Sequence, residues 1–209
     1  MRSNWQPGEH VAIWGKTGSG KTTVCAGLVA QREYAAVLAS KQEDKTLELY
    51  KGFEVIDKWE KRIWHQKHVI VWPYARRGQD VDAVFRQASL NMMESIYWEK
   101  HWTYQIDDAK MMRHLGLMEK VRSLFAHCRS QGSSLVYNDV RPFHTIQEAL
   151  DQTSYNLMFF QKDRRDVWRL AEANGENPRV LEALNSQLAR YEFLFLPAQG
   201  DPVIVRNQQ

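Results

Sequence analysis

The sequence has almost no cysteine. Its two, Cys25 and Cys128, stand far apart with no metal-ligand spacing, which excludes a disulfide scaffold and suits a reducing compartment. Long apolar runs are missing too. The most hydrophobic stretches, Asn156 to Phe160 and Phe193 to Pro197, are strand-sized and far below the roughly 18 residues that cross a bilayer. No apolar stretch follows Arg2, so neither a secretory leader nor a membrane anchor is expected, and the cytoplasm is the expected location. Nor does one charge dominate: 28 basic against 25 acidic residues leave +3, which excludes a polycationic tail but not a local basic patch. What remains, 209 residues with 44% hydrophobic and 25% charged, suits one globular domain over residues 1–209 with a full α/β core. The surplus is aromatic, with eight tryptophans.

Short apolar runs alternate with longer helical periodicities, the pattern of an α/β fold with a largely parallel sheet. Strands are expected at His10 to Trp14, Ala35 to Ser40, Val69 to Trp72, Trp102 to Ile106, Ser134 to Tyr137 and Leu157 to Gln161. Glu192 to Leu196 and Val203 to Arg206 should close the chain as a hairpin turned at Gly200-Asp201-Pro202. Helices are expected over Gly20 to Gln31, Asp44 to Tyr50, Asp80 to Glu99, Met111 to Gln131, Arg165 to Glu172 and Arg179 to Leu188. The Met111 to Gln131 helix would use Leu115, Met118, Val121, Phe125 and Cys128 as its apolar face.

Between the first strand and the first helix lies Gly15-Lys16-Thr17-Gly18-Ser19-Gly20-Lys21-Thr22, a match to G-x-x-x-x-G-K-[ST] in the strand–loop–helix context that motif requires. Its glycines let the backbone curl so that successive N–H groups face phosphate oxygens, and the helix N-terminus beneath adds positive charge. The loop through Thr23 is thus expected to bind ATP, with Lys21 on the β- and γ-phosphates and the Thr22 hydroxyl on Mg²⁺.

The strand Trp102 to Ile106 ends in Asp107-Asp108. Asp107 is the expected second Mg²⁺ ligand, through water, and Asp108 the expected general base. Asp108 could instead cap the following helix, and Glu43, after the second strand, is a competing base.

Together with Arg129-Ser-Gln-Gly132, the apolar strand behind it, Asn138-Asp139-Val140-Arg141-Pro142 and the stretch Phe159 to Asp166, these pieces resemble the FtsK–HerA superfamily of P-loop ATPases. The resemblance implies an additional-strand, RecA/HerA-like core with a C-terminal β-hairpin. It also implies a homomeric ring, a pentamer or hexamer, that spends ATP to move double-stranded DNA, as the genome-packaging ATPases of viruses do. On that reading a portal-like partner would dock the motor, and a viral protein would work in the host cytoplasm. Where family members often carry Gln before Arg-Pro, this chain has Val140, so the γ-phosphate sensor falls to Asn138 or Asp139, Asn138 being the better donor. Arg129 and Arg141 are candidates for an arginine finger acting across a subunit interface.

Lys58, Lys61, Arg62, Lys67, Arg76 and Arg77 against Glu60 make a local excess of positive charge, interleaved with Trp59, Trp64, Trp72 and Tyr74. Cations and planar rings suit nucleic acid, and Ala75 to Gln79 has the glycine and length of a DNA-facing loop. Trp59 and Trp64 could equally face the core. Two rival functions stay open: an ATP-dependent assembly switch that hydrolyses slowly without moving DNA, and a small-molecule kinase, against which the closing strands speak.

Overall fold

The computed structural model describes residues 5–39, 41, 45–62, 65–95 and 97–206. Glu43 and Trp64 lie outside the described residues, as do Ser40, Asp44 and Ile96 at or near the ends of expected elements. The chain order is β1 (Val11–Trp14), α1 (Lys21–Val29), β2 (Ala35–Leu38), β3 (Glu54–Ile56), β4 (His68–Val71), α2 (Val81–Ser95), β5 (Thr103–Ile106), α3 (Ala109–His114) and α4 (Met118–Cys128). It continues with β6 (Ser134–Asp139), α5 (Glu148–Asp151), β7 (Tyr155–Phe159), α6 (Arg164–Ala173), α7 (Pro178–Gln187), β8 (Glu192–Pro197) and β9 (Val203–Arg206). Where a helix was expected over Asp44 to Tyr50, there is a 3₁₀ turn over Lys45–Leu49.

The strands form one nine-stranded sheet in the order β3-β4-β2-β5-β6-β1-β7-β8-β9. Neighbours are parallel from β3 through β7, and β8 and β9 add antiparallel to that edge as the expected hairpin. The fold is the expected P-loop NTPase architecture, and β6 is the additional strand: it separates β1, which feeds the phosphate loop, from β5, which ends at the acidic pair. Neighbouring strands run about 4.8 Å apart, so Asn138 on β6 sits between the loop and Asp107.

Alternation along each strand divides the core. Val11, Ile13, Ala35 and Val37 pack with Cys25, Ala26 and Val29 of α1 on one face. Ala12, Trp14, Ala36 and Leu38 face α2 to α7 through Phe85, Met112, Val121, Ala149, Val167 and Leu181. Covering both faces is what a parallel sheet requires.

The expected long helix from Met111 to Gln131 breaks. The stop is Gly116, with φ +67°: its N–H bonds the Arg113 carbonyl (3.1 Å) and the Leu117 N–H bonds that of Met112 (2.9 Å). This pair of bonds is a Schellman closure, which needs a residue tolerant of left-handed backbone. Met118 then begins α4, while a short 3₁₀ turn over Arg129–Gln131 closes its far end.

Tryptophan is mostly core. Trp5, Trp14, Trp59 and Trp102 are buried, whereas Trp98 projects, 84% exposed. Arg62 lies on the rings of Trp59 and Trp102 (5.0 and 4.7 Å) and pairs with Glu99, so Trp59 takes the core placement and Arg62 is engaged within the chain.

Candidate active site

Because β1 and β4 to β7 are parallel, the residues that follow their C-terminal ends share one edge of the molecule. That edge carries the phosphate loop, the acidic pair, the end of β6 and the loop after β4. A cleft of about 320 Å³ opens there, and it brings together Thr17, Gly18, Lys21, Thr22, Asp107 and Asn138, with Gly20, Thr23 and Asp108 also on its wall. Gly15, Lys16 and Ser19 complete the loop behind it. A Cβ on Gly15 would come within 2.8 Å of both Phe159 Cβ and Ser19 Oγ, so the start of the loop fits against β7 only as glycine.

The Lys21 ammonium folds over its own loop, donating to the carbonyl oxygens of Gly15 (2.6 Å) and Lys16 (3.1 Å). Burial lowers its pKa, and the nearby Cys25, Asp107, Asp108 and Asp139 oppose that shift. Beneath it Cys25 is fully buried, its Sγ donating to Asn138 Oδ1 (3.0 Å), and desolvation pushes its thiol pKa up. Cys25 is therefore a neutral strut that fixes the Asn138 amide, not a nucleophile. With its oxygen so engaged, Asn138 turns Nδ2 toward Asp107 Oδ1, which lies 3.4 Å away, as does Nε2 of Gln105.

Asp108 caps α3: its Oδ1 accepts from the Lys110 N–H (2.9 Å) while the residue also lines the cleft. The helix-cap reading of Asp108 is thus met, by a side chain that also borders the cleft. Lys41 and Thr46, which flank the segment containing Glu43, line the cleft as well.

The donors present fit Mg²⁺. A hydroxyl at Thr22 and a carboxylate at Asp107 border one cleft, and both are hard oxygen ligands. Among the described residues no group of three or more His, Cys, Asp or Glu could hold a metal ion. Mg²⁺ at phosphate sites is commonly held by one or two carboxylates plus phosphates and needs no such group.

Asp139, the other candidate sensor, also lines the cleft, but its carboxylate is engaged within the chain. It is buried and held by Arg113 through two bonds of 2.8 Å, with a third contact from the Tyr137 hydroxyl (3.3 Å). The same fork raises the Arg113 pKa. Arg113 was not among the candidates from the sequence; a basic residue in the last turn of a helix gives no sign of a partner 26 positions away.

The two arginine-finger candidates are placed very differently. Arg141 is bound within its own chain, to Asp166 (2.9 Å) and to Asp163, which Arg165 also holds (2.8 Å). Arg129 follows α4 on the opposite edge of the sheet, close to Gly8, exposed and with no ion pair among the described residues.

Of the basic segment, Lys61 pairs with Asp57 (2.7 Å), Lys67 with Glu33 (2.9 Å) and Arg62 with Glu99. Lys58, Arg76 and Arg77 are exposed and make no ion pair among the described residues. Tyr74, beside the two arginines, is 69% exposed.

No protein-family model and no curated protein sequence matches the chain. Solved structures do. The DNA-packaging ATPase B204 from Sulfolobus turreted icosahedral virus aligns over 98% of this chain and 100% of its own, with TM-score 0.70 and 16% identity. The genome-packaging NTPase B204 from Sulfolobus turreted icosahedral virus 2, in complex with ATP-gammaS, gives the same TM-score and coverage at 15% identity. VirB4 of Thermoanaerobacter pseudethanolicus gives TM-score 0.69 at 12% identity, over 96% of this chain and 89% of its own. The likeness extends over the whole length and establishes the fold, that of P-loop NTPases. The sequence resemblance to the FtsK–HerA superfamily points to the same group of structures. Among the described residues no helix is long and apolar enough to cross a membrane.

Proposed function

We propose that this chain is an ATP hydrolase that works as a homomeric ring of five or six subunits and couples turnover to translocation of double-stranded DNA, as a viral genome-packaging motor does. The observation that carries the proposal is the convergence of Lys21, Thr22, Asp107 and Asn138 on one cleft, in a fold shared end to end with a DNA-packaging ATPase.

The chemistry follows from the placement. Lys21 exchanges two backbone carbonyls for phosphate oxygens, and the loop N–H groups and the start of α1 take the remaining charge. Mg²⁺, bound by Thr22 and through water by Asp107, would supply neutralisation of the β- and γ-phosphate oxygens. Asn138, its oxygen fixed by Cys25, offers an N–H donor as the γ-phosphate sensor. Asp108 serves as base toward the attacking water, with Glu43 as the alternative. Arg129 is the better finger, because recruiting Arg141 would break its links to Asp163 and Asp166. Arg76 and Arg77, on the edge that holds the cleft, contact the DNA backbone. Docking on a portal-like partner belongs to the same proposal.

One observation favours the slower assembly-switch reading: Asp108 spends an oxygen on the α3 cap. Trans-complementation separates the two. Lys21→Ala and Arg129→Ala should each lose turnover, at least ~100-fold for Lys21→Ala, and their mixture should regain part of it in shared rings. If Arg129→Ala and Arg141→Ala both turn over like wild type, there is no finger and the ring mechanism fails. Comparing Asp108→Asn with Glu43→Gln identifies the base as the variant that still binds ATP but no longer hydrolyses it.

A further inference from the structure

A second cleft, of about 450 Å³, adjoins the phosphate loop on its other side. Its walls are Lys16 to Ser19, Phe159 and Phe160 at the end of β7, and the link from Leu188 to Glu192 between α7 and β8. Tyr191 lines both this cleft and the one that holds Lys21 and Thr22. It is therefore the aromatic side chain that joins the two spaces.

The backbone at Tyr191 is unusual. With φ +68° it is left-handed, a conformation that only His101 shares among the described non-glycine residues. A bulky side chain in that region costs free energy and persists only where its surroundings hold it. Here the link is pinned on either side. The Glu192 N–H bonds the Ala189 carbonyl (3.1 Å), and the Glu192 carboxylate accepts from the Ala189 N–H (3.0 Å) and from Arg206 Nε (2.8 Å). The Arg190 guanidinium lies 4.7 Å from the centre of the Tyr191 ring, and the Tyr191 hydroxyl makes no hydrogen bond among the described residues. Glycine would adopt this turn without strain. A tyrosine held there, with a cation on its ring and clefts beside it, is built to present an aromatic surface. Phe160, 45% exposed, lines the second cleft too.

We propose that Tyr191 is the stacking platform for the base of the bound nucleotide, so that the site has two halves: the loop takes the triphosphate and Tyr191 takes the base. This rests on the reading of the cleft as a nucleotide site. Because every base offers a π-face, stacking selects by size and overlap and not by a hydrogen-bond code. The pocket therefore accepts purine triphosphates with little distinction between ATP and GTP, and takes CTP and UTP less well.

Equilibrium titration of the full chain with ATPγS, and separately with inorganic tripolyphosphate, tests this. Tyr191→Ala should weaken ATPγS binding roughly 10-fold or more and leave tripolyphosphate binding unchanged. Tyr191→Phe should match wild type, and the preference for ATP over CTP should shrink in the alanine variant. Tyr191→Gly, which relieves the left-handed backbone, should fold whether or not the alanine variant does and should show the same selective loss. Unchanged ATPγS binding in the alanine or glycine variant overturns the proposal. So does an equal loss of tripolyphosphate, which would make Tyr191 a prop for the loop. If wild type binds neither probe, or Lys21→Ala binds both as wild type does, the nucleotide reading itself fails and the platform with it.

Discussion

At the scale of single residues, the motif was legible and its supports were not. Glycine spacing and the Lys21-Thr22 pair mark Gly15 to Thr22 as the candidate phosphate loop, because such a loop is local in sequence and each residue type has one job. Cys25 gave no such signal: its service to Asn138 crosses 113 positions and uses a weak thiol donor. His10 carries no signal in the sequence either, yet the structure gives it a definite consequence. It is buried, its Nδ1 accepts the Leu135 N–H (3.1 Å), and desolvation brings its pKa down from 6.5 to about 4. The unfolded chain takes up this proton below about pH 6.5 while the folded chain resists until about pH 4. Stability from this group is therefore complete above pH 6.5 and lost as pH falls toward 4, by about 3 kcal/mol. Urea titrations of wild type and His10→Asn, which keeps an acceptor, at pH 7 and 4.5 check it: the wild type should lose more on acidification. At the cleft, Lys21→Ala should leave the unfolding free energy within about 0.5 kcal/mol of wild type, since Lys21 bonds only loop carbonyls. Its lost turnover would then report chemistry and not misfolding.

Elements were read well where their pattern was long and poorly where pairing over distance decided. Buried strands such as Val11–Trp14 and Ala35–Leu38 show as apolar runs. Glu54–Ile56 did not: it is a three-residue edge strand, mostly exposed, with no run to detect. The apolar spacing from Leu115 to Cys128 suggested one continuous helix, and Gly116 overrules it by closing α3. Gly116→Ala should cost about 1 kcal/mol in thermal or urea unfolding, the opposite of the gain expected from alanine inside a helix. The Arg113–Asp139 fork ties α3 to the end of β6, the two elements that flank the acidic pair. Arg113→Ala strands a buried carboxylate. With Arg113 itself partly open to water, the expected loss is about 2 kcal/mol, and Asp139→Asn in the same background should restore much of it. Additive losses in that double-mutant cycle would show the fork to be incidental.

At the scale of the whole molecule, sheet order turns scattered signals into a machine. With β6 between β1 and β5, Asn138, Asp107 and the loop from Gly15 to Thr22 arrive on one edge, and Arg76 and Arg77 arrive on that edge with them. The excess positive charge in the sequence shrinks on folding, because Lys61, Arg62 and Lys67 are paired within the chain; the arginines after β4 remain for a partner. Arg129 lies on the far edge from its own cleft, where it could serve only a neighbour's. The most direct test is ATP turnover per chain, measured with and without duplex DNA as protein concentration rises. A DNA-translocating ring requires turnover that climbs with concentration as rings form and climbs further with DNA. Turnover per chain that is flat with concentration and indifferent to DNA would contradict it.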